Sequence, residues 1–93
     1  MQKGDLGTRV LSAPSPRYPV QSRRRREQGT VELLLTLALD GSVETISVSR
    51  SSGFERLDDA ALSAVRRWRW EPTMQAGVPV KVRGIVSIPF VLA

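Results

Sequence analysis

Three observations predict an α+β fold with elements in the order α-β-β-α-β. Thr30–Leu39 alternates apolar and polar residues and runs into Asp40-Gly41, a hairpin signal. Leu57, Ala61, Ala64, Val65 and Trp68 form one stripe at helical spacing. Lys81–Leu92 alternates again and closes the chain. A right-handed crossover from the second strand to the third, skipping the first, gives a three-stranded antiparallel sheet of order 2-1-3. The long helix then covers one face of that sheet.

In chain order, residues 1–16 are poor in large apolar side chains and carry Gly4, Gly7, Pro14 and Pro16. Ala13-Pro14-Ser15-Pro16 favours extended backbone, so this segment reads as the flexible end of a linker, and residues 17–93 as the folded domain. Tyr18-Pro19 opens a short helix, because proline suits the first helical position. That helix is expected to reach about Glu27, with Gly29 ending it.

In the first strand Val31, Leu33, Leu35, Leu37 and Leu39 share a face. A two-residue Asp40-Gly41 turn with both residues at positive φ puts Leu35 opposite Ile46 and Leu33 opposite Val48. The second strand is expected at about Val43–Arg50, closed by Ser51-Ser52-Gly53. Ser52 and Glu55 have the spacing of a capping box for the long helix. Asp58 and Asp59 near its start, and Arg66, Arg67 and Arg69 near its end, suit the helix dipole. The helix is expected to end on Trp68 and Trp70 and to stop at Pro72, and both tryptophans read as core and rim packing. Gln75-Ala76-Gly77 is the turn into the last strand. There Val82, Val86, Ile88, Phe90 and Leu92 face the core, with Gly84 among them.

Composition narrows the chemistry. The 93 residues make one small domain, and no apolar run approaches the ~20 residues of a membrane span. There is no cysteine and no histidine, so disulfides, thiolate sites, His-based zinc sites and Ser-His-Asp triads are excluded within this chain. Asp58 and Asp59 are adjacent on a helix and point apart, which is poor geometry for paired acid/base work. No catalytic residue, metal ligand or cofactor is expected. The net charge is +5, and Arg23, Arg24, Arg25 and Arg26 stand in one run. This candidate basic surface fits nucleic acid, anionic lipid, peptidoglycan or a merely solvated helix face.

The last strand carries Pro89, and proline cannot donate to a ladder, so this strand belongs at an edge. Lys81, Arg83, Ile85, Ser87, Pro89 and Val91 share one parity. If the other parity bonds the first strand, this one faces outward and Pro89 blunts it near its end. The stretch Lys81, Val82, Arg83, Gly84, Ile85, Val86 and Ser87 is then left able to pair. Such an edge reads in two ways. Lys81, Arg83 and Pro89 discourage aggregation, or the edge accepts a guest peptide as an added strand.

At this point the residues resemble the family of TonB C-terminal domains. The resemblance is carried in order by Tyr18-Pro19, Gly29-Thr30-Val31, Asp40-Gly41-Ser42-Val43, Ser51-Ser52-Gly53 and Leu57-Asp58-Asp59-Ala60-Ala61. It continues through Val65-Arg66-Arg67-Trp68-Arg69-Trp70-Glu71-Pro72, Gly77-Val78-Pro79-Val80 and Ile88-Pro89-Phe90. It spans about Pro16 to Leu92. The resemblance implies the periplasmic domain of an energy transducer anchored in the inner membrane of a Gram-negative bacterium. Its membrane helix and proline-rich spacer would lie outside this sequence. It implies as partners an outer-membrane transporter, whose short "TonB box" adds as a strand, and an ExbB–ExbD motor driven by the proton gradient. The cargo implied is a siderophore, haem or cobalamin.

Carried over by position, the box would lie beside Lys81–Ser87, with backbone bonds from Arg83, Ile85 and Ser87 and with Tyr18 and Pro19 flanking it. Ser15 stands where relatives often carry glutamine. Arg24, Arg25 and Glu27 stand where relatives often carry apolar residues, which implies a loosely docked first helix. The competing expectations are a nucleic-acid or anionic-surface (peptidoglycan) binder using the arginines, and a TolA-like envelope domain. The strands' only expected aromatic, Phe90, has core parity, so base stacking on the sheet is not expected. An exposed edge also allows a weak homodimer.

Overall fold

The long alternating stretch that opens the folded region becomes the centre of the sheet. The computed structural model describes residues 3–5 by their backbone, and residues 8–92 in full. The elements are β1 (Lys3–Asp5), β2 (Val10–Ser12), α1 (Val20–Arg24), β3 (Gly29–Leu37), β4 (Val43–Arg50), α2 (Glu55–Val65), β5 (Arg69–Trp70), β6 (Thr73–Gln75), β7 (Val78–Val80) and β8 (Val82–Phe90). The main sheet has the order β1-β8-β3-β4, and β2-β5 and β6-β7 form two small ribbons. The three expected strands are therefore neighbours as β4-β3-β8. The expected three-stranded sheet is corrected to four by β1, which comes from the segment read as linker.

Burial in β3 alternates strictly at Val31, Leu33, Leu35 and Leu37, each no more than 1% exposed. These side chains meet Val86, Ile88 and Phe90 of β8 and Leu57, Ala61 and Val65 of α2, and Trp68 and Trp70 complete the core. Full burial of each large aliphatic side chain stabilises by roughly 1.5–3 kcal/mol, so this one cluster dominates the fold. Leu33 pairs with Val48 and Leu35 with Ile46.

The hairpin loop differs from expectation. Asp40 does not take positive φ; Gly41 does, at 87°. The Gly41 N–H donates to the Ala38 carbonyl at 3.0 Å, and the Ala38 N–H donates to the Ser42 carbonyl at 2.8 Å. This is a three-residue loop, Leu39-Asp40-Gly41, with its glycine in the left-handed region. Leu39 consequently leaves the core face and is 49% exposed. Asp40 accepts from the Ser42 hydroxyl and N–H. These bonds to Ser42 hold its carboxyl below the ordinary aspartate range.

Both helices end differently from expectation. The α1 segment stops at Arg24, and Arg26 takes φ 56°, doing the work assigned to Gly29. The Glu27 N–H donates to Ser22 and the Arg26 N–H to Arg23, which is the bond pattern of a Schellman cap. Gly29 instead begins β3, where a Cβ would stand 2.7 Å from the Ser52 carbonyl oxygen. The α2 helix ends at Val65, before both tryptophans. Trp68 lies past the helix and Trp70 belongs to β5. Gln75-Ala76-Gly77 turns β6 into β7 rather than into the last strand, with Ala76 at φ 52° and Gly77 at φ 78°.

Candidate strand-addition edge

β8 is held on one side along its whole length. Nine residue pairs, from Val82–Leu37 to Phe90–Gly29, join it to β3. On its other side β1 runs antiparallel, with Lys3 opposite Ser87, Gly4 opposite Val86 and Asp5 opposite Ile85. The expected free stretch Lys81–Ser87 is thus corrected: its last three residues carry the chain's own backbone. Among the described residues, Val82, Arg83 and Gly84 have no strand on that side.

The side chains of β8 divide as the alternation requires. Val86, Ile88 and Phe90 are buried, Arg83 and Ile85 are exposed, and Val82, Gly84 and Ser87 are half-buried. Lys81 precedes the strand, and its Nζ lies 2.9 Å from Oε1 of Glu44 on β4. The lysine therefore reaches across the sheet and does not project from the β8 edge. Pro89 lies opposite Thr30 at the end of the β3 ladder.

Tyr18 meets β8 at its far end, and Pro19 follows it at the start of α1. The Tyr18 ring stands edge-on to Phe90, with centroids 5.4 Å apart at 87°, and its hydroxyl donates to the Glu27 carbonyl. Pro19 is the N-cap of α1, and its carbonyl accepts the Arg23 N–H at 3.0 Å. The start of the first helix is thereby tied to β8 through the Tyr18 ring. Glu27 is itself buried, and Arg56 Nη1 lies 3.4 Å from its Oε2. The structure thus brings Tyr18 beside Phe90, away from Ile85–Ser87 where β1 lies.

Arg23, Arg24, Arg25 and Arg26 are all exposed, and none of the four joins an ion pair among the described residues. Trp68 and Trp70 are each 3% exposed, with ring centroids 5.8 Å apart. No group of three or more potential metal ligands occurs among the described residues.

Several contacts that the sequence did not mark tie the N-terminal segment and the β4–α2 junction into the fold. Trp68 Nε1 donates to the Pro14 carbonyl at 2.9 Å. Val10 pairs with Trp70 and Ser12 with Arg69, and the Glu71 N–H donates to Arg9 at 2.8 Å. Thr8–Pro14 is therefore bonded to the segment after α2, where a linker end was expected. The Trp68-Arg69-Trp70 alternation was a period-two signal for β5. Asp58 accepts from the hydroxyls of Ser51 and Ser52 and from the Ser52 N–H. This clasp replaces the expected Ser52–Glu55 capping box, since α2 has no side-chain cap bond at Phe54. Partial burial raises the Asp58 pKa, but the three serine bonds outweigh it and leave it below the ordinary aspartate value.

This geometry and sequence have close parallels. Residues 14–92 match the family described as Gram-negative bacterial TonB protein C-terminal. The chain is 40% identical over 79 residues to protein tonB2 of Pseudomonas aeruginosa, covering 85% of this chain and 28% of that protein. It is 39% identical over 83 residues to protein TonB of Vibrio cholerae, covering 89% of this chain and 34% of that one. It thus spans about a third or less of the length of these relatives. A solution NMR structure of the P. aeruginosa TonB CTD superposes with a TM-score of 0.78 at 27% identity, covering 95% of this chain and 89% of that one. A family match over nearly all of the folded residues, joined to a shared fold, shows that this chain belongs to the TonB C-terminal family.

Proposed function

We propose that the chain is the periplasmic adaptor domain of a TonB-type energy transducer, and that it takes the TonB box of an outer-membrane transporter as an added strand on β8. The observation that carries this reading is the outer side of β8. There a long strand, fixed by nine pairs to the sheet's centre, meets three residues of the chain's own backbone among the described residues. Backbone bonds contribute roughly 0.5–1.5 kcal/mol net each, so a short added strand binds modestly and can be released. That suits a partner that must be gripped and let go.

In this reading Arg83, Ile85 and Ser87 supply the ladder bonds, and Val82, Gly84 and Val86 alternate with them. Tyr18 and Pro19 act through Phe90 and α1, shaping the far end of the strand. Lys81 is held by Glu44 and positions the entry to β8. The domain carries out no chemistry of its own and needs no cofactor. Force would reach it from an ExbB–ExbD motor through a membrane-anchored segment outside this sequence, for uptake of a siderophore, haem or cobalamin. No helix among the described residues is long and apolar enough to cross a membrane. The arginine run on α1 is available for an anionic surface such as peptidoglycan. Trp68, Trp70 and Phe90 are buried, which leaves no base-stacking platform on the strands.

Titration of a 15N-labelled chain with a TonB-box peptide tests the reading. The amide signals of Val82–Ser87 should shift first and furthest. Shifts confined to Arg23–Arg26 would overturn it.

A further inference from the structure

We infer that β1 is a resident competitor: Lys3–Asp5 occupies the part of the β8 edge a guest strand would use, and must leave before a guest can pair fully. The inference rests on the strand-addition reading and adds regulation to the same site. Its basis is the register, in which Lys3, Gly4 and Asp5 lie opposite Ser87, Val86 and Ile85.

Two features make this strand both persistent and displaceable. Its pairing is short, three residues, and its central residue is a glycine, which orders at high entropic cost and has no side chain to pack against a neighbour. Its tether is firm. Only two residues separate Asp5 from Thr8, whose hydroxyl donates to the Glu71 carbonyl at 2.8 Å, and Arg9 accepts from the Glu71 N–H. Three residue steps span at most about 10 Å, so a released β1 stays near its own site at high effective concentration. Among the described residues, no strand lies beside Val82, Arg83 and Gly84 on that side. A guest can pair there first and then displace β1 residue by residue.

Adjacent strand residues direct their N–H groups to opposite edges. A chain carrying both Gly4→Pro and Asp5→Pro therefore loses one ladder donor toward β8, whichever residue supplies it. Two measurements on the full 93-residue chain and this variant test the inference. Without peptide, the outward amides among Ile85–Ser87 should exchange slowly in the parent and faster in the variant. Amides of Leu33 and Leu35 should be unchanged, which reports an intact core. With a TonB-box peptide, the variant's dissociation constant should fall about threefold or more, because the competent fraction rises.

Equal affinity for the two chains would overturn the competition while leaving the binding site in place. Equal, fast exchange at Ile85–Ser87 in both would overturn the β1 pairing itself. Protected amides in the parent with no peptide binding to either chain would instead overturn the strand-addition reading, and the competitor's role with it.

Discussion

Gly41 is constrained twice, by its backbone angle and by what lies against it. Its φ of 87° is in the region that favours glycine, and a Cβ there would collide with the Trp70 carbonyl. The same contact is a bonded one, because the Trp70 N–H donates to the Gly41 carbonyl at 3.0 Å. A methyl group at this position would meet backbone, which cannot rotate aside. Gly41→Ala should therefore destabilise the domain by about 2–4 kcal/mol, the range of local strain plus a displaced backbone contact. The midpoint of urea unfolding, followed by tryptophan fluorescence, checks this. A loss below about 0.5 kcal/mol would mean that the loop relaxes without cost. Arg26 carries the complementary lesson. An arginine at φ 56° ends α1 where no local residue signal announced it, because arginine is neither a turn former nor a helix breaker.

The elements that were legible are those whose periodicity is imposed by burial. β3, β4, β8 and α2 each present one face to the same core, and their alternation or stripe is written in leucines, valines and isoleucines. The elements that were not legible pair over long distances in short pieces. β1 and β2 are three residues each and find partners far along the chain, so nothing within them specifies a strand. The junction between β4 and α2 was half legible. Ser51-Ser52-Gly53 reads correctly as a turn, but the capping carboxylate is Asp58, six residues beyond Ser52 and outside the spacing of a capping box. That clasp makes α2's entry sensitive to acid. The folded-state pKa of Asp58 lies below its unfolded value, so its contribution is present above the ordinary aspartate pKa and is lost as pH falls through the folded value. Asp58→Asn should be less stable than the parent at pH 7. The gap should narrow as pH drops below about 4, in paired thermal melts across pH. A gap constant from pH 7 to pH 2 would show that Asp58 makes no charge-dependent bond.

At the scale of the molecule, everything is organised around β3, which has a long strand paired on each side. β8 pairs it across its length and β4 from Glu32 to Leu37, whereas β1 pairs with β8 alone and β6 and β7 only with each other. Amide exchange should follow that order, with Val31–Leu37 slowest, and Lys3–Asp5 and Thr73–Val80 fastest. β6-β7 amides as slow as those of β3 would indicate a second stability centre that the packing does not contain. Pro89 and the core parity of β8 lie in the strand itself and read as an edge, an expectation the sheet corrects by placing β1 beside Ile85–Ser87. That pairing was not legible, because Lys3-Gly4-Asp5 carries no strand signal of its own.

The outline of the molecule has a mechanical consequence. Its extents are 49 × 20 × 16 Å. A nine-residue strand at about 3.3 Å per residue measures about 30 Å, so β8 fits only along the long axis. Any strand laid beside it takes the same direction. If a guest strand pairs there as proposed, a pull along that axis would load its ladder in shear, all bonds together, and pass the load to β3 through nine pairs. The longer inner ladder outlasts the shorter outer one. Under rising tension the proposed coupling would slip before the domain tears, which would leave the same molecule intact for the next stroke.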